Sequence, residues 1–416
     1  MSLALTAEER ATAAGNDGAA MAMRIVADAA RLMGADRLIP IQSAHIDGAL
    51  YHGDSGTHFA EKLVAGGARV VVRSTLNVGA LDLMGCSRVR LEEPARGMAR
   101  RMMEAYRTLG CEATWTCAPY QAGHRPEKGS DVAWGESNAV VFCNSVLGAR
   151  TNRYGDFLDI ACAIAGRAPD YGLHQPENRL ARVVFDVSAL PSWLLGAEIA
   201  WPVLGSLYGR QVGEAVGVVS GIDVQPGEDS LKAFGAAAAS TGAVGLFHIA
   251  GVTPEAPDLG SALGGAEPDE VIAVTPAMFA DAKARLSTAE RPARIDAVAI
   301  GSPHLSADEL ARLEALIAGR KLAVPLYACT GRHVLAGLNA LRRTALENAG
   351  VVLVADTCVV VTPILPDLDG GVLMTNSGKF AQYAPGNTGY AVLYGSLEEC
   401  VNSAALGKPM LTEIPR

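Results

Sequence analysis

Three apolar runs decide the fold: 297-AVAIGSPHL-305, 322-LAVPLYACTGR-332 and 351-VVLVADTC-358. They are unbroken rather than alternating, which is typical of strands buried on both faces of a parallel sheet. After the first run, Ser306 to Glu309 form a capping box, and Leu310 begins a series of leucines at helical spacing. The repeated order of strand and helix predicts an α/β fold, with a parallel sheet covered by helices on both faces.

Polar side chains follow each of these predicted strands. The three strand ends read Gly301-Ser302-Pro303-His304, Cys329-Thr330-Gly331-Arg332 and Asp356-Thr357-Cys358. Ligands bind parallel sheets at the carboxyl ends of the strands. We therefore expect the three ends to share one edge and to take part in chemistry.

Weaker patterns predict the remaining organisation. Short β-branched runs predict strands at residues 70–72, 140–142 and 322–326. A capping box at Thr6 predicts one long helix that ends near Gly34, and a capping box at Ser396 predicts a helix that ends at Gly407. A change of composition near residue 225 divides the chain into an N-terminal α/β region, 1–225, and a C-terminal α/β region, 226–416.

Composition limits the classes of partner. The 416 residues are 50% hydrophobic and carry a net charge of −9, which disfavours nucleic acid and anionic membrane surfaces. Glu8 and Glu9 stand where a signal peptide needs positive charge, so we expect a cytoplasmic protein. Eight cysteines without a CxxC spacing favour thiols or metal ligands from distant loops over disulfides.

Two cysteines stand out by their surroundings. Cys117 lies in Thr-Cys-Ala-Pro-Tyr, and Cys358 ends a buried strand. Taken alone, each is a small buried hydrophobic residue, the common fate of a free cysteine. Thiolates from separate loops are also what an iron–sulfur cluster requires, and both interpretations stay open at this stage.

Other segments favour anion binding. Arg150 and Arg153 lie in a short polar stretch, and arginine pairs bidentately with carboxylates. The loop from Gly53 to Ser55 is framed by glycines, and Lys379 lies beside Gly378. Each pattern also occurs in ordinary solvated turns.

In this order, the segments resemble aconitase X, a branch of the aconitase superfamily. The similar stretches span residues 43 to 407 and read SAHIDG, STLNVGALD, TCAPY, WGESNAVVFCNSVLGARTNR, GSPHLSADEL, ADTC, TNSGKFAQYAP and GSLEECVNSAALG. The resemblance implies an aconitase-like catalytic body that lacks the swivel domain. A small swivel-domain subunit is then expected as a partner.

The resemblance also implies an iron–sulfur cluster, of the [2Fe-2S] or [4Fe-4S] type. Cys117 and Cys358 fall where the family places cluster cysteines. The third family cysteine is replaced by Ser302, whose hydroxyl is a harder and poorer ligand than a thiolate. Cys329, and after it Cys143, is the preferred substitute, and a labile or absent cluster is the alternative.

Site residues are carried over in the same way. Glu136 is the candidate base within this chain, and a serine of the swivel subunit is the alternative by analogy with the superfamily. Lys379 is a catalytic residue or carboxylate anchor. The predicted substrate-binding residues are Gly53, Asp54, Ser55, Asn77, Ser137, Asn138, Arg150, Arg153 and Ser377.

The function expected from the resemblance is removal of water from a β-hydroxy acid. The favoured reaction converts cis-3-hydroxy-L-proline to Δ1-pyrroline-2-carboxylate, and mevalonate 5-phosphate is the alternative substrate. A non-catalytic iron–sulfur sensing or regulatory protein is a second class, which the replacement at Ser302 keeps open. A cysteine hydrolase is a third, and it requires a histidine such as His124 beside Cys117.

Overall fold

The computed structural model describes residues 3–155, 157–290 and 292–412. The chain forms two compact units. Unit 1 comprises Met1–Leu81, Leu91–Leu180 and Thr253–Glu255, and unit 2 comprises Asp82–Arg90, Ala181–Val252 and Ala256–Arg416. The domain boundary near residue 225 stays a prediction. Among the described residues, no helix has the length and apolar character needed to cross a membrane.

Unit 1 contains short strands and longer helices. Its helices are α1 (Ala7–Ala13), α2 (Asp17–Met33), α3 (Asp54–Ala65), α4 (Ala95–Thr108), α5 (Ser137–Phe142) and α6 (Leu158–Ala165). Its strands are β1 (Leu38–Pro40), β2 (Ser43–Ile46), β3 (Arg73–Leu76), β4 (Ala133–Trp134) and β5 (Arg167–Pro169). Strands β3, β2 and β4 form a parallel sheet in that order, and β1 pairs with β5 in the antiparallel sense.

Unit 2 is built on two parallel sheets. Its helices are α7 (Ser192–Leu195), α8 (Ala200–Val212), α9 (Glu228–Gly242), α10 (Leu259–Ala262), α11 (Pro276–Arg285), α12 (Ala307–Ile317), α13 (Arg332–Ala336), α14 (Ala340–Ala349), α15 (Gly378–Thr388) and α16 (Leu397–Leu406). Its strands are β6 (Val183–Asp186), β7 (Gly217–Ser220), β8 (Phe247–Ile249), β9 (Glu270–Ala273), β10 (Ala297–Leu305), β11 (Leu326–Thr330), β12 (Val351–Val354), β13 (Val372–Thr375) and β14 (Ala391–Tyr394).

The larger sheet of unit 2 confirms the predicted fold class. Its strands run parallel in the order β12-β11-β10-β13-β14, and the smaller sheet has the order β8-β7-β6-β9. Apolar side chains of α12, α14 and α16 pack with the strands in one hydrophobic core, while α9 and α15 contact the sheet elsewhere. Full burial of one such leucine, Leu313, contributes about 1.5–3 kcal/mol.

The first predicted helix proves to be two. Thr6 forms the expected capping box with Glu9, but α1 ends at Ala13 and α2 begins at Asp17. Asn16 accepts a hydrogen bond from the backbone N–H of Ala19 and so caps a new helix. The capping boxes at Ser306 and Ser396 are confirmed without such a break.

Three predicted strands were misplaced. Residues 70–72 precede β3, and Val71 is 67% exposed. Residues 140–142 lie in α5, because a short, wholly buried apolar run has no periodicity that separates helix from strand. The strand predicted at 322–326 begins at Leu326, directly after Pro325, which has no N–H to donate.

Candidate active site

The carboxyl edge of the β3-β2-β4 sheet gathers several predicted residues of unit 1. The register places His45 opposite Thr75 on β3 and opposite Trp134 on β4. Two residues farther along, Asn77 donates from Nδ2 to the Asp47 carboxylate at 2.5 Å. Asn77 is buried, and its Oδ1 has no partner within the described part of the chain. That oxygen is an acceptor that an N–H or O–H group of a ligand can satisfy.

A buried carboxylate beneath this edge was missed from the sequence. Asp159 is fully buried and accepts the backbone N–H groups of Asp47 and Ile160, each at 2.6 Å. It thereby fixes the backbone that carries Asp47. The available signal was one acidic residue in the otherwise apolar helix LDIACAIA.

The predicted base, Glu136, begins α5 in an uncommon conformation. Its φ is +68°, a region that non-glycine residues occupy mainly where function or structure requires it. Oε2 accepts the N–H of Ala139 at 2.8 Å, and Oε1 accepts the hydroxyl of Ser137 at 3.0 Å. The carboxylate is therefore held in a fixed position, at 9% exposure. Ser137 supports Glu136 in this structure.

Asn138 connects α5 to the loop that contains Cys117. Its Nδ2 donates to the carbonyl oxygen of Cys117 at 2.8 Å and to the hydroxyl of Tyr120 at 3.1 Å. Asn138 is fully buried and its Oδ1 has no partner in the described residues. The predicted substrate residue and the predicted ligand Cys117 are therefore neighbours.

Gly53, Asp54 and Ser55 lie at the start of α3. Gly53 has a φ of +145°, and the helix begins at Asp54. Asp54 and Ser55 are exposed, and Asp54 accepts the hydroxyl of Tyr51 at 2.8 Å. This hydrogen bond raises the pKa of Tyr51. The carboxylate of Asp54 occupies a helix start, which favours negative charge.

The predicted arginines differ in exposure. Arg153 is exposed, whereas Arg150 is half-buried and its Nε has no partner in the described ranges. Asn144 nearby is bonded in both directions to Thr151, at 2.9 and 3.0 Å. Arg179, which the sequence did not indicate, is almost fully buried and donates to Asn144 at 3.1 Å. It also donates to the Glu255 carboxylate. Much of the polar stretch from Asn144 to Arg153 therefore stabilises the fold.

His45 and His124 meet at one hydroxyl. Their Nδ1 atoms lie 2.9 and 2.8 Å from Thr75 Oγ1, and all three side chains are buried. The cysteine hydrolase hypothesis required His124 to serve Cys117. The hydrogen bond seen at Nδ1 goes to Thr75 instead.

In unit 2, the predicted strand ends do share one edge. Because β12, β11, β10 and β13 are neighbours and parallel, their carboxyl ends place Cys358, Cys329, Ser302 and Ser377 along the same side of the sheet. Cys329 is fully buried, and Cys358 and Ser302 are 6% and 7% exposed. The prediction that these segments come together is confirmed.

A wide bulge carries Ser302. Ile300 pairs with Ala328 and Leu305 with Thr330, so residues 301–304 lie opposite Cys329 alone. Gly301 has a φ of +88°, and a Cβ there would lie 2.0 Å from the carbonyl oxygen of Cys329. Only glycine fits this position.

Hydrogen bonds fix the bulge from both sides. His304 Nε2 lies 3.2 Å from the carbonyl oxygen of Thr357, next to Cys358. The hydroxyl of Ser377 donates to the carbonyl oxygen of Ser302 and accepts the N–H of Phe380 at 2.9 Å, capping α15. Ser377, predicted to bind substrate, is thus already used in holding the bulge.

A buried lysine absent from the predictions supports the same bulge. Lys232 is 2% exposed and donates to the carbonyl oxygen of His304 at 3.3 Å. Its ammonium lies 2.5 Å from Glu309 and 2.9 Å from Asp229. Burial raises the pKa of Glu309, and the two carboxylates raise the pKa of Lys232 although burial opposes them.

These groups line a polar cavity of about 240 Å³. The lining includes Gly196, Glu198, Asp229, Lys232, Ser302, Glu309, Arg312, Asn376, Ser377 and Gly378. Glu198 accepts hydrogen bonds from Arg312 at 2.6 Å and from Asn376 at 3.1 Å. Lys379 lies half-buried in the first turn of α15, beside this lining.

The segment before Cys358 is rigidly held. Asp356 has a φ of +62° and accepts two hydrogen bonds from Arg332, both at 2.8 Å. It also accepts the N–H of Leu83 at 3.3 Å. This network fixes the backbone direction from which Cys358 departs.

Burial affects how readily several thiols could bind a metal. Burial raises the pKa of Cys86, Cys111, Cys143, Cys162 and Cys400, which disfavours the thiolate that a metal needs. Cys143, one of the proposed ligands, is among them. The other proposed cysteine ligands, Cys117, Cys329 and Cys358, are also buried. Within the described ranges, no three His, Cys, Asp or Glu side chains are grouped to hold a metal ion, so the cluster fits the residue types but no assembled site is present.

Comparison with known families identifies the family of this chain. Models for the first, second and third domains of aconitase X match residues 2–177, 181–284 and 295–406. The chain belongs to the aconitase X family. A crystal structure of Thermococcus kodakaraensis aconitase X in its holo-form superposes with a TM-score of 0.85 at 33% identity, covering 97% of this chain and 100% of that one.

Two kinds of curated relative are similar to this aconitase X chain. Cis-3-hydroxy-L-proline dehydratases from Pseudomonas aeruginosa and Hypocrea jecorina are 44% and 39% identical over 97% and 98% of the chain, and cover 70% and 69% of the relatives. The large subunit of phosphomevalonate dehydratase from Methanothermobacter thermautotrophicus is 39% identical, over 89% of this chain and 91% of its own length.

Proposed function

We propose that this aconitase X chain is a hydro-lyase that removes water from a β-hydroxy acid, and that cis-3-hydroxy-L-proline is the substrate. The observation that carries the proposal is 44% identity with the Pseudomonas aeruginosa cis-3-hydroxy-L-proline dehydratase over 97% of the chain. Mevalonate 5-phosphate is the second candidate, because the phosphomevalonate dehydratase large subunit is 39% identical over nearly its full length.

The proposed reaction needs a base, a carboxylate anchor and a way to stabilise the leaving oxygen. Glu136 takes the proton from the carbon next to the carboxylate, since each of its oxygens keeps a lone pair beside the hydrogen bond that it accepts. The carbon–oxygen bond at C3 breaks, and the hydroxyl takes up one proton, which balances the proton removed by Glu136, and leaves as water. The resulting enamine tautomerises to Δ1-pyrroline-2-carboxylate.

Substrate anchoring is assigned to cations and buried amides. Arg150, Arg153 and Lys379 are the proposed partners of the substrate carboxylate, since arginine binds carboxylates with two parallel hydrogen bonds. Asn77 and Asn138 each offer an unpaired buried oxygen, within the described residues, for a ring N–H or hydroxyl of the substrate. Gly53, Asp54 and Ser55 are proposed contacts at the start of α3.

We propose an iron–sulfur cluster as cofactor, with Cys117 and Cys358 as ligands and with Ser302 or Cys329 as the third. When bound, such a cluster supplies a Lewis acid for the hydroxyl that leaves. Its nuclearity is proposed only as [2Fe-2S] or [4Fe-4S]. Iron and sulfide content of Cys358→Ala and Cys329→Ala, purified without oxygen, identifies the ligands.

We further propose a small partner subunit that carries a swivel domain. The support is the name "large subunit" of relatives such as the one from Methanosarcina mazei, of which this chain covers 98%. This chain spans about 70% of the length of the Pseudomonas aeruginosa cis-3-hydroxy-L-proline dehydratase. The heterodimer is expected to be the active form.

Turnover of both substrates tests the function. The chain, co-expressed with its candidate small subunit and purified without oxygen, is supplied with cis-3-hydroxy-L-proline or mevalonate 5-phosphate, and the products are identified by mass. We expect loss of 18 Da from the amino acid only. Turnover of the phosphate alone would transfer the assignment to that substrate. A protein that binds iron but dehydrates neither compound would favour the sensing class.

A further inference from the structure

The contacts of Thr75 determine how protons are placed on two imidazoles. A hydroxyl carries one proton, so Thr75 can donate to only one of His45 and His124. The other ring must donate its own Nδ1 proton to Thr75, because two lone pairs at hydrogen-bond distance repel each other. No other acceptor for this hydroxyl is found among the described residues, which leaves one donor ring and one acceptor ring.

This arrangement fixes the protonation state of the two Nε2 atoms. Burial lowers the pKa of His45 well below its usual range, and burial together with the charge of Arg73 lowers the pKa of His124 to about 4. Both rings are therefore neutral at pH 7, with one proton each. The ring that donates from Nδ1 has a bare Nε2, and the ring that accepts at Nδ1 carries its proton on Nε2.

Both Nε2 atoms are buried and have no partner within the described ranges. An unpaired buried donor or acceptor costs about 1–3 kcal/mol, so its presence calls for an explanation. The indole of Trp134 lies against both imidazoles, with ring centroids 5.6 and 4.9 Å away. This apolar ring helps to keep bulk water away from the chain of hydrogen bonds.

The two ends of this chain of hydrogen bonds lie near different parts of unit 1. Along a strand, residues two apart lie on the same face about 7 Å from each other. His45 and Thr75 therefore lie one layer behind Asp47 and Asn77, at the candidate substrate edge. His124 is itself buried but follows the exposed Gly123, so the other end of the hydrogen-bonded chain lies beside a surface loop.

We propose that His45, Thr75 and His124 form a buried proton relay between the Asn77 edge of the β3-β2-β4 sheet and the surface loop at Gly123. When His45 is the ring that donates from Nδ1, a proton binds its bare Nε2, and His45 passes its Nδ1 proton to Thr75. Thr75 passes its hydroxyl proton to Nδ1 of His124, and His124 gives the proton on its Nε2 to a water molecule that enters at the Gly123 loop. The reverse passage restores the starting state, and no electrons are transferred.

The relay rests on the proposed function only for the source of its proton, which Glu136 takes from the carbon next to the substrate carboxylate. Through the relay, that proton exchanges with solvent during turnover. The placement of protons in the resting protein is independent of any substrate, and it can be measured on the chain itself.

The first test is nitrogen NMR of the protein labelled with ¹⁵N-histidine at pH 7, with His45→Gln and His124→Gln used for assignment. We expect two neutral rings, one protonated on Nδ1 and the other on Nε2, and the same pattern in Thr75→Ser. Thr75→Val should remove the Nδ1-protonated form. Two rings of the same tautomer, or a charged ring, would overturn the proposal.

The second test is kinetic. We expect Thr75→Val to lower kcat for cis-3-hydroxy-L-proline at least tenfold with KM changed less than twofold, and Thr75→Ser to restore most of kcat. An unchanged kcat in a folded Thr75→Val protein would also overturn the relay. If the wild-type protein dehydrates neither substrate, the proposed function fails, and the NMR result decides the relay by itself.

Discussion

Two sheet edges differ in how their buried polar atoms are hydrogen-bonded. One is the edge of the β3-β2-β4 sheet in unit 1, and the other is the edge of the five-stranded sheet in unit 2. In unit 1, His45 Nε2, Asn77 Oδ1 and Asn138 Oδ1 are buried without a partner within the described residues. In unit 2, the carbonyl of Ser302 and the carboxylate of Asp356 both have protein partners. Unpaired buried groups favour a ligand, whereas paired ones favour rigidity. We infer that the first edge recognises and deprotonates the substrate, while the paired groups of the second edge fix the loops that carry the proposed cluster ligands.

The largest expected effect concerns the paired edge of unit 2. Lys232→Met leaves the carboxylates of Asp229 and Glu309 without their ammonium group. Removing one member of a buried ion pair costs about 3–5 kcal/mol, and we expect the free energy of unfolding to fall by about that amount in urea titrations. The exposed Lys321→Met should change it by less than about 0.5 kcal/mol. A loss below about 1 kcal/mol for Lys232→Met would show that this edge does not depend on the ion cluster.

The next effect concerns the unpaired edge of unit 1 and depends on pH. The pKa of His124 is about 4 in the folded protein and about 6.5 when exposed, so the unfolded chain binds more protons between these values. Stability therefore falls as the pH falls from 6.5 to 4, by about 3 kcal/mol for this residue.

Urea titrations at pH 6.5 and 4 measure that contribution. His124→Gln should lose about 3 kcal/mol less stability than the wild type over this range, because glutamine does not titrate. The exposed His58→Gln should behave like the wild type. An equal pH dependence of His124→Gln and the wild type would mean that His124 is not a buried neutral ring.

A smaller effect tests how tightly the bulge of unit 2 is packed. Gly301→Ala and Gly319→Ala both place alanine at positive φ, +88° and +77°, at a cost of about 1–2 kcal/mol each. Only at Gly301 does the new Cβ meet the Cys329 carbonyl, whereas nothing lies within 4 Å of it at Gly319. We expect Gly301→Ala to lose about 1–3 kcal/mol more in urea unfolding. Equal losses of unfolding free energy in the two variants would show that the bulge can shift to accommodate the added methyl group.

Much of this organisation was predictable from local patterns. The unbroken apolar runs from Ala297 to Val354 predicted the parallel sheet, because strands buried on both faces show no alternation. Ser306 and Ser396 predicted helix starts through their capping boxes. The shared edge of Ser302, Cys329 and Cys358 then followed from parallel strand direction alone.

The missed residues depend on contacts between distant segments. Lys232 lies 77 residues from Glu309, and Asp159 lies 112 residues from Asp47, so no sequence spacing connects them. The pairing of His45 with Thr75 requires the register of β2 and β3, and the strand at β3 was predicted three residues too early. Arg179 has no local signal in the sequence, because the Asn144 to which it donates lies 35 residues away.

The most direct test of the account is the value of kcat/KM for cis-3-hydroxy-L-proline in Asn77→Ala. Asn402→Ala is the matched control, since its half-buried amide bonds only to Arg320 among the described residues. We predict that Asn77→Ala lowers kcat/KM at least tenfold while Asn402→Ala leaves it within twofold. An unchanged kcat/KM in Asn77→Ala would contradict the assignment of the unit 1 edge as the substrate site.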